Sequence, residues 1–350
     1  MTDIPHKNNF DLLRLYLAFS VCFAHLGEAS GVAAFIPLTR FFYSGIAVDC
    51  FFVLSGFLIF RSFDRSSTTR SYLNKRVRRI YPAYFSVVVL AAVLLPFLSV
   101  QPTTDLLFST EWLRYLFSNL AFLNFLQPDL PGIFTANSLQ VINAPLWTIK
   151  IEVMFYLSVP LIFLLCKKNK QWLVLCCLYA ASLAYSLFFL HLHAAKGLEI
   201  YLRLEKQLPG QLTFFLSGGG LYLYFSLFKK YWKYCLFLAA LTILFQENVL
   251  LQMLYPFALG ITVISFSLCL PYLGNWGKFG DMSYGVYIYH FPLIQIFTTF
   301  SLFDSHVWIR FTGLVLIILA TASFSYHYIE RPFLKRSSHY RQAAENTESS

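Results

Sequence analysis

Charged residues are scarce in this sequence: Asp, Glu, Lys and Arg together make up 13% of its 350 residues. Soluble domains contain about 25% charged residues, so the shortage excludes an ordinary soluble fold. Hydrophobic residues make up 57% of the chain and aromatic residues 19%. The composition therefore predicts an integral membrane protein with several spans.

Two other features are missing. The first apolar stretch contains Asp11 and Arg14 and no cleavage pattern follows it, so we expect a retained span and not a signal peptide. All seven cysteines lie within or at the edge of apolar stretches, which argues against a disulfide framework or a zinc site. We expect no metal.

The formal net charge is +10, but the basic residues form short clusters between apolar stretches, a pattern typical of a cytoplasmic membrane face and not of nucleic-acid binding.

Ten apolar stretches reach or approach the length of about 17 to 25 residues that crosses a bilayer. We therefore predict an all-α, polytopic integral membrane protein with about ten transmembrane helices. The boundary near residues 246–248 is the least defined, and no internal repeat is visible. The predicted spans are 10–27, 45–63, 82–100, 144–166, 172–191, 209–228, 232–247, 249–270, 283–303 and 307–328.

The distribution of Lys and Arg predicts the orientation. With the N-terminus inside, 20 of the 27 basic residues fall on the cytoplasmic side and seven on the other. We therefore expect both termini to be cytoplasmic, with one transmembrane domain over 1–336 and a disordered polar tail over 337–350. The long outer connection, 101–143, contains an aromatic stretch that suits a helix lying on or dipping into the membrane as a packing lid.

Ionisable residues are sorted by predicted depth. Arg14 and His25 are eleven residues apart, which places them on nearly the same helix face about 16 Å apart along the axis. His25 falls near the outer surface, and Asp49 and Glu152 fall in the same outer half. Because ionisable residues inside spans usually face a protein-lined cavity, we expect these three groups to handle protons. Arg14 taken alone is explained more readily by a snorkelling anchor at the inner surface.

Basic residues concentrate on the predicted inner side between Arg61 and Arg79, ahead of Tyr81 and Pro82, where we expect the third span to begin. Guanidinium groups beside a helix start suit phosphate groups, although a plain positive-inside loop explains the charge equally well. Taken together, the sequence suggests a phosphate-bearing ligand bound from the cytoplasm and acid/base chemistry near the opposite face.

Six motifs, spread from residue 10 to about 334, resemble those of membrane acyltransferase family 3, whose multi-span enzymes O-acylate surface polysaccharides and related glycans. In order they are FDLLRLYLAFSVCFAH, GIAVDCFFVLSGFLIF, KRVRRIYPAYF, PLWTIKIEVMFYL, FGDMSYGVYIYHFPL and YIERPF. The resemblance implies an acyl-CoA donor, usually acetyl-CoA, an acceptor hydroxyl on a lipid-linked or exported glycan, and a location in the bacterial inner membrane. Some members of the family carry an additional soluble SGNH-type esterase domain after the spans, and we expect none in this sequence.

The resemblance assigns roles to particular residues. His25 matches the key histidine of the family and Arg14 its paired basic residue. Arg76 and Arg79 match the basic pair before the Tyr-Pro step that holds CoA phosphates, and Tyr81 is assigned with them to the donor site. Glu152 matches the acidic position after the Trp, although Val153 stands where the family often has a second Glu.

His290 has two alternative interpretations. It is predicted in the inner half of the ninth span, where it either lines the donor channel or is a satisfied core histidine. We include it among the candidate donor-binding residues.

These assignments give a hypothesis of mechanism. His25 is the general base that takes the proton of the acceptor hydroxyl, with Asp49 or Glu152 orienting its ring. A covalent acyl-histidine is a less favoured variant. The alternatives from other classes are a transporter or flippase of lipid-linked sugars or of an acyl donor, and a structural subunit of an export complex. The sequence leaves open the acyl group, the glycan and the oligomeric state.

Overall fold

The structure is a computed structural model that describes residues 5, 7–166 and 170–334. Every regular element in this part of the chain is helical, so the predicted all-α class is confirmed. The predicted tail over 337–350 lies outside the described residues. The α-helices are α1 (Phe10–Ala29), α2 (Ile36–Phe41), α3 (Ser44–Asp64), α4 (Thr69–Leu94), α5 (Thr103–Leu106), α6 (Thr110–Leu120), α7 (Leu146–Leu165), α8 (Gln171–Lys196), α9 (Glu199–Glu205), α10 (Leu208–Leu223), α11 (Phe225–Leu244), α12 (Val249–Leu268), α13 (Ser283–Thr299) and α14 (Val307–Phe324).

Each of the ten predicted spans coincides with one of these helices. Within the described residues, seven helices are long and apolar enough to cross a membrane: α1, α3, α4, α7, α8, α12 and α14. The other three are α10 with 16 residues, α13 with 17 residues, and α11, whose first half contains three lysines. The chain is therefore a polytopic membrane protein, and the count of ten and the position of the termini stay predictions.

The start of α4 corrects the sequence analysis. We expected the third span to begin at Pro82, but α4 begins at Thr69 and includes Pro82 in its interior. Two local causes extend the helix: Arg and Lys are good helix formers, and the Thr68 hydroxyl accepts a hydrogen bond from the Ser71 N–H at 3.1 Å, as an N-cap does. The expectation of a helix N-terminus beside the arginines is therefore wrong, because Arg76 and Arg79 project from the body of α4.

The predicted outer connection contains α6, which packs as the sequence suggested. The indole N–H of Trp112 donates to the Ala92 carbonyl of α4 at 2.7 Å, and the Tyr84 hydroxyl donates to the Asn119 carbonyl at 2.8 Å. Trp112 and Asn119 are buried, while Phe117 on the same helix is exposed. The helix is amphipathic and covers α4 with its buried face.

The described chain divides into two compact units with interleaved segments. Unit 1 comprises the described parts of 1–10, 48–73 and 151–274, and unit 2 those of 11–47, 74–150 and 275–350. The predicted single domain over 1–336 stays a prediction.

The core of unit 1 is aromatic, with the rings of Phe155 and Phe215 stacked at 4.2 Å. Close helix approach at Gly56 and Gly218 brings α3 and α10 together there.

Candidate active site

Two histidines of unit 2 are joined by a hydrogen bond. Nδ1 of His25, on α1, lies 2.9 Å from Nε2 of His290, on α13. The two imidazole planes are nearly parallel, at 9°, with ring centroids 5.2 Å apart. His290 is fully buried and His25 is partly exposed. The two residues therefore differ in exposure, since His290 is fully enclosed and His25 is not.

The position of His290 corrects its predicted separation from His25. We expected it in the inner half of its span, apart from His25, but the structure places the two side by side. The physical reason is the register of the two helices, since Arg14 near the start of α1 pairs with Asp281 just before α13. Asp281 therefore lies at the level of Arg14. His290 comes nine residues after Asp281 and reaches the same level as His25, which comes eleven residues after Arg14. Arg14 and His25 themselves are separated along α1 as the spacing predicted.

Side chains from the start of α7 and from the segment before it hold α13 next to His290. Pro292 lacks an N–H and leaves the carbonyl of Ile288 without its helical partner, and the side-chain amide of Asn143 donates to that carbonyl at 2.8 Å. The Thr148 and Tyr287 hydroxyls share a hydrogen bond of 2.7 Å. These contacts fix the turn of α13 that carries His290.

A buried network of ion pairs lies at the level of Arg14, near the start of α1. Arg79 donates to Asp281 and to Glu330, each at 2.6 Å, and Arg14 reaches the same Asp281 oxygen at 3.4 Å. Only 3% of the Asp281 side chain and 1% of the Glu330 side chain are exposed. Burial of this kind is tolerated because two guanidinium groups balance two carboxylates.

Neighbouring groups complete the network. The Ser283 hydroxyl donates to Asp281, and the Ser325 hydroxyl donates to Glu330 at 3.1 Å. Burial by itself would raise the pKa of Asp281, but Arg79 and Arg14, together with hydrogen bonds from Ser283, hold it below its ordinary value. Asp281 is therefore a carboxylate at neutral pH and anchors both arginines.

Sequence reasoning missed both carboxylates of this network. Asp281 and Glu330 stand in the quoted motifs FGDMSYG and YIERPF, but we gave neither a role in the site. One signal was present, since a half-buried arginine in a membrane protein needs a compensating charge. The Arg14–Asp281 pair joins residues 267 positions apart, so the local spacing of residues does not indicate it.

The other predicted donor residues lie nearby on α4. Arg76 is partly buried and lies one helical turn before Arg79, on the neighbouring face. Tyr81 is partly exposed, and its ring packs against Phe85 and Phe122. The structure holds them on one helix with Arg79, and their contact with a donor stays a prediction.

The predicted carboxylates Asp49 and Glu152 belong to unit 1. Asp49 lies in the second turn of α3, where the charges of Glu205 and Lys206 act on it. Glu152 accepts a hydrogen bond from the Tyr156 hydroxyl one turn later on α7. Burial raises the pKa of Glu205, against the effects of Ser186 and Lys206. The predicted role of Asp49 or Glu152 in orienting His25 stays a prediction.

Over the residues that the structure describes, no group of three or more His, Cys, Asp or Glu side chains is placed to hold a metal ion.

Comparisons with known proteins identify the family. A family model described as an acyltransferase domain, that of acyltransferase family 3, matches residues 7–328, nearly the whole chain. The O-acetyl transferase of Shigella phage Sf6 is 26% identical over 350 residues, which cover 95% of this chain and 98% of the phage protein.

Two partial relatives agree. Nodulation protein 10 of Rhizobium leguminosarum bv. viciae is 32% identical over 185 residues, 47% of each chain. Acyltransferase MdmB of Streptomyces mycarofaciens is 28% identical over 173 residues, 45% of this chain and 39% of that protein. The chain thus spans about half the length of the nodulation protein in the match. No solved structure matches. The family match favours an enzyme over a transporter or a structural subunit, and the chain belongs to acyltransferase family 3 and is an acyltransferase.

Proposed function

We propose that this acyltransferase moves an acyl group, in the first instance acetyl, from cytoplasmic acyl-CoA to a hydroxyl of a surface or lipid-linked glycan at the outer face of the bacterial inner membrane. The observation that carries the proposal is the His25–His290 pair, in which His25 is partly exposed. This pair is separated along α1 from Arg14 and the ion network to which Arg14 belongs. The full-length similarity to a phage protein named O-acetyl transferase supports acetyl as the group transferred.

His25 is the general base in this proposal. The acceptor oxygen attacks the thioester carbonyl carbon while its proton passes to the free nitrogen of the His25 ring. The tetrahedral intermediate then collapses, the carbon–sulfur bond breaks, and the CoA sulfur takes the proton from the imidazolium. Histidine suits both steps because its ordinary pKa of about 6.5 lies near working pH.

Arginines of unit 2 hold the donor phosphates in this proposal. Arg79 already donates to two carboxylates, so its chief effect is to organise the network around Asp281. The Arg14–Asp281 contact is the longest of the three ion pairs, at 3.4 Å, and is the easiest for an arriving phosphate to replace. We therefore assign the phosphate contacts first to Arg14 and Arg76, with Tyr81 beside them on α4.

Mass spectrometry of surface glycans tests the proposal and identifies the acyl group and the acceptor glycan. Cells that express the chain should show a glycan mass increased by one acyl group, and the size of the increase names that group. The His25→Ala variant should lose the addition while inserting in the membrane at the normal level. His191→Ala, an exposed histidine on α8, is the matched control and should keep it. Acylation at a near-normal rate by His25→Ala would overturn the role of His25.

A further inference from the structure

We infer that His290 is a positioning residue that fixes His25 in one tautomer and so makes Nε2 of His25 the atom that takes the proton. This inference rests on the proposed function, because it assumes that His25 is the base. It goes beyond it by naming the atom, the protonation state of each ring and the group that sets them.

The first step is the protonation of His290. Its Nδ1 lies 3.0 Å from the carbonyl oxygen of Val286, one turn earlier on α13. A carbonyl oxygen can only accept a hydrogen bond, so Nδ1 of His290 carries the hydrogen. A neutral imidazole has a single N–H, and Nε2 of His290 therefore presents a lone pair.

The second step transfers this constraint to His25. Nε2 of His290 faces Nδ1 of His25 at 2.9 Å, and one hydrogen must lie between two nitrogens at that distance. With the lone pair on His290, the hydrogen belongs to Nδ1 of His25. Nε2 of His25 is then the nitrogen left without hydrogen, free to act as a base.

The geometry of the two rings supports a directed bond. The ring centroids are 5.2 Å apart, which is close to the sum of the 2.9 Å nitrogen–nitrogen distance and one ring radius for each imidazole. This sum is reached only when both nitrogens lie on the line between the centroids. The interplanar angle of 9° then places the bond close to both ring planes, along the direction of the lone pair. Simple face-to-face stacking of the rings would not give this arrangement.

The opposite arrangement is disfavoured by burial. If His290 donated to His25 from Nε2, both of its nitrogens would carry hydrogen and the fully buried ring would be a cation. Within the described part of the chain, neither ring has a carboxylate as a hydrogen-bond or ion-pair partner. The neighbours that pack on the pair are aromatic: the edge of Phe291 contacts His25, and Tyr287 lies beside His290. An uncompensated buried charge there is costly.

The pair thus does with two neutral rings what other hydrolases and transferases do with a carboxylate. The acceptor nitrogen of His290 orients the His25 ring and stabilises the imidazolium that forms when Nε2 takes the proton. The contact of Asn143 with the Ile288 carbonyl keeps the turn of α13 that carries His290 in place. His290 acts through His25 and does not itself need to touch the substrate.

Two substitutions of His290 test this role. In membrane vesicles supplied with acetyl-CoA labelled in the acetyl group, His290→Leu removes the acceptor and should lower kcat by about 10²-fold or more, with the KM for acetyl-CoA unchanged. His290→Gln offers a carbonyl oxygen to the Nδ1 hydrogen and should stay within about tenfold of the wild type. A wild-type kcat for His290→Leu, or equal losses for the two variants, would overturn the inference.

A spectroscopic measurement on the wild-type protein does not depend on whether the variants fold. In protein labelled with ¹⁵N in histidine, the inference expects His25 to carry hydrogen on Nδ1 and none on Nε2 near neutral pH. The His25→Ala variant assigns the signals, and the reverse tautomer would overturn the inference. If His25→Ala stays active while the expected tautomer is observed, the role of His25 as the base fails, and with it the role of Nε2, while the assignment of the tautomer to His290 stands. If His25→Ala is inactive and the tautomer is reversed, only the inference fails.

Discussion

At the residue scale, Arg79 is the side chain on which most of the buried charge of unit 2 depends. Both of its carboxylate partners are almost fully enclosed, and its own side chain is 11% exposed. Its guanidinium group also lies over the ring of Tyr284, 5.2 Å from the centroid. Removing that charge takes from Glu330 the guanidinium group that balances it and leaves Asp281 with its longer contact to Arg14.

Arg79→Leu should therefore lower the free energy of unfolding by about 3 to 5 kcal/mol, as for other broken buried ion pairs. Thermal unfolding of the detergent-purified protein measures the effect. Arg78→Leu is the matched control, because Arg78 is the exposed neighbour, and its side-chain hydrogen bond to Asn74 is at the surface. It should cost less than about 1 kcal/mol. Equal losses for the two variants would show that the network does not contribute to stability.

The sequence predicted part of this site and missed part of it for a physical reason. The spacing of Arg14 and His25 is set by the geometry of one helix, so their separation along α1 could be predicted. Their partners, Asp281 and His290, come from a segment more than 260 residues later, and contacts across such distances depend on packing. The predicted difference in depth between His25 and His290 was wrong because the start of one helix says nothing about the level at which its neighbour starts.

At the element scale, the contact between α3 and α10 in unit 1 depends on two glycines, Gly56 and Gly218, which have no side chain. A Cβ on Gly218 would lie 2.0 Å from the carbonyl oxygen of Val53, and one on Gly56 would lie 1.9 Å from that of Phe215. These are backbone atoms, which cannot move aside as a flexible side chain does. The close approach is typical of small residues at membrane helix interfaces.

Gly218→Ala should consequently destabilise the protein by at least about 1 to 3 kcal/mol, because the helices must separate to admit the methyl group. Gly220→Ala, two residues further on the same helix, is the control. Its Cβ would meet nothing closer than a Leu175 methyl carbon at 3.9 Å, so the substitution should be neutral or slightly stabilising. The comparison uses the melting temperatures of the two purified variants, and the account fails here if Gly218→Ala melts no lower than Gly220→Ala.

Apolar runs located the ten main helices but not all of their ends. The polar extension of α4 from Thr69 to Tyr81 was invisible to hydropathy, and the Tyr-Pro step looked like a helix start. Proline is tolerated inside membrane helices where neighbouring side chains supply hydrogen bonds to the freed carbonyls. The Tyr72 hydroxyl does this in unit 1, where it donates to the Tyr156 carbonyl four residues before Pro160 at 3.0 Å.

At the scale of the whole molecule, the orientation in the membrane depends on the distribution of 27 basic residues along the chain. An even number of spans places 20 of them on one side, and an odd number would divide the clusters between the two faces. The position of the C-terminus therefore tests the count and the orientation together.

Two reporters fused after residue 336 should give opposite results. A fluorescent protein that matures only in the cytoplasm should fluoresce, and alkaline phosphatase, which is active only outside, should be inactive. The same pair of reporters placed in the predicted outer connection, at residue 128, should show the reverse pattern. Phosphatase activity at the C-terminus would contradict the even count.

The central claim is that one chain takes an acyl group from CoA on the cytoplasmic side and delivers it to a glycan on the other side, with His25 as the base. Sealed inner-membrane vesicles of known orientation test it most directly, with labelled acetyl-CoA supplied only to the cytoplasmic face. The account predicts label on glycan at the opposite face with the wild type, and none with His25→Ala. Label confined to the cytoplasmic face, or undiminished transfer by His25→Ala, would contradict it.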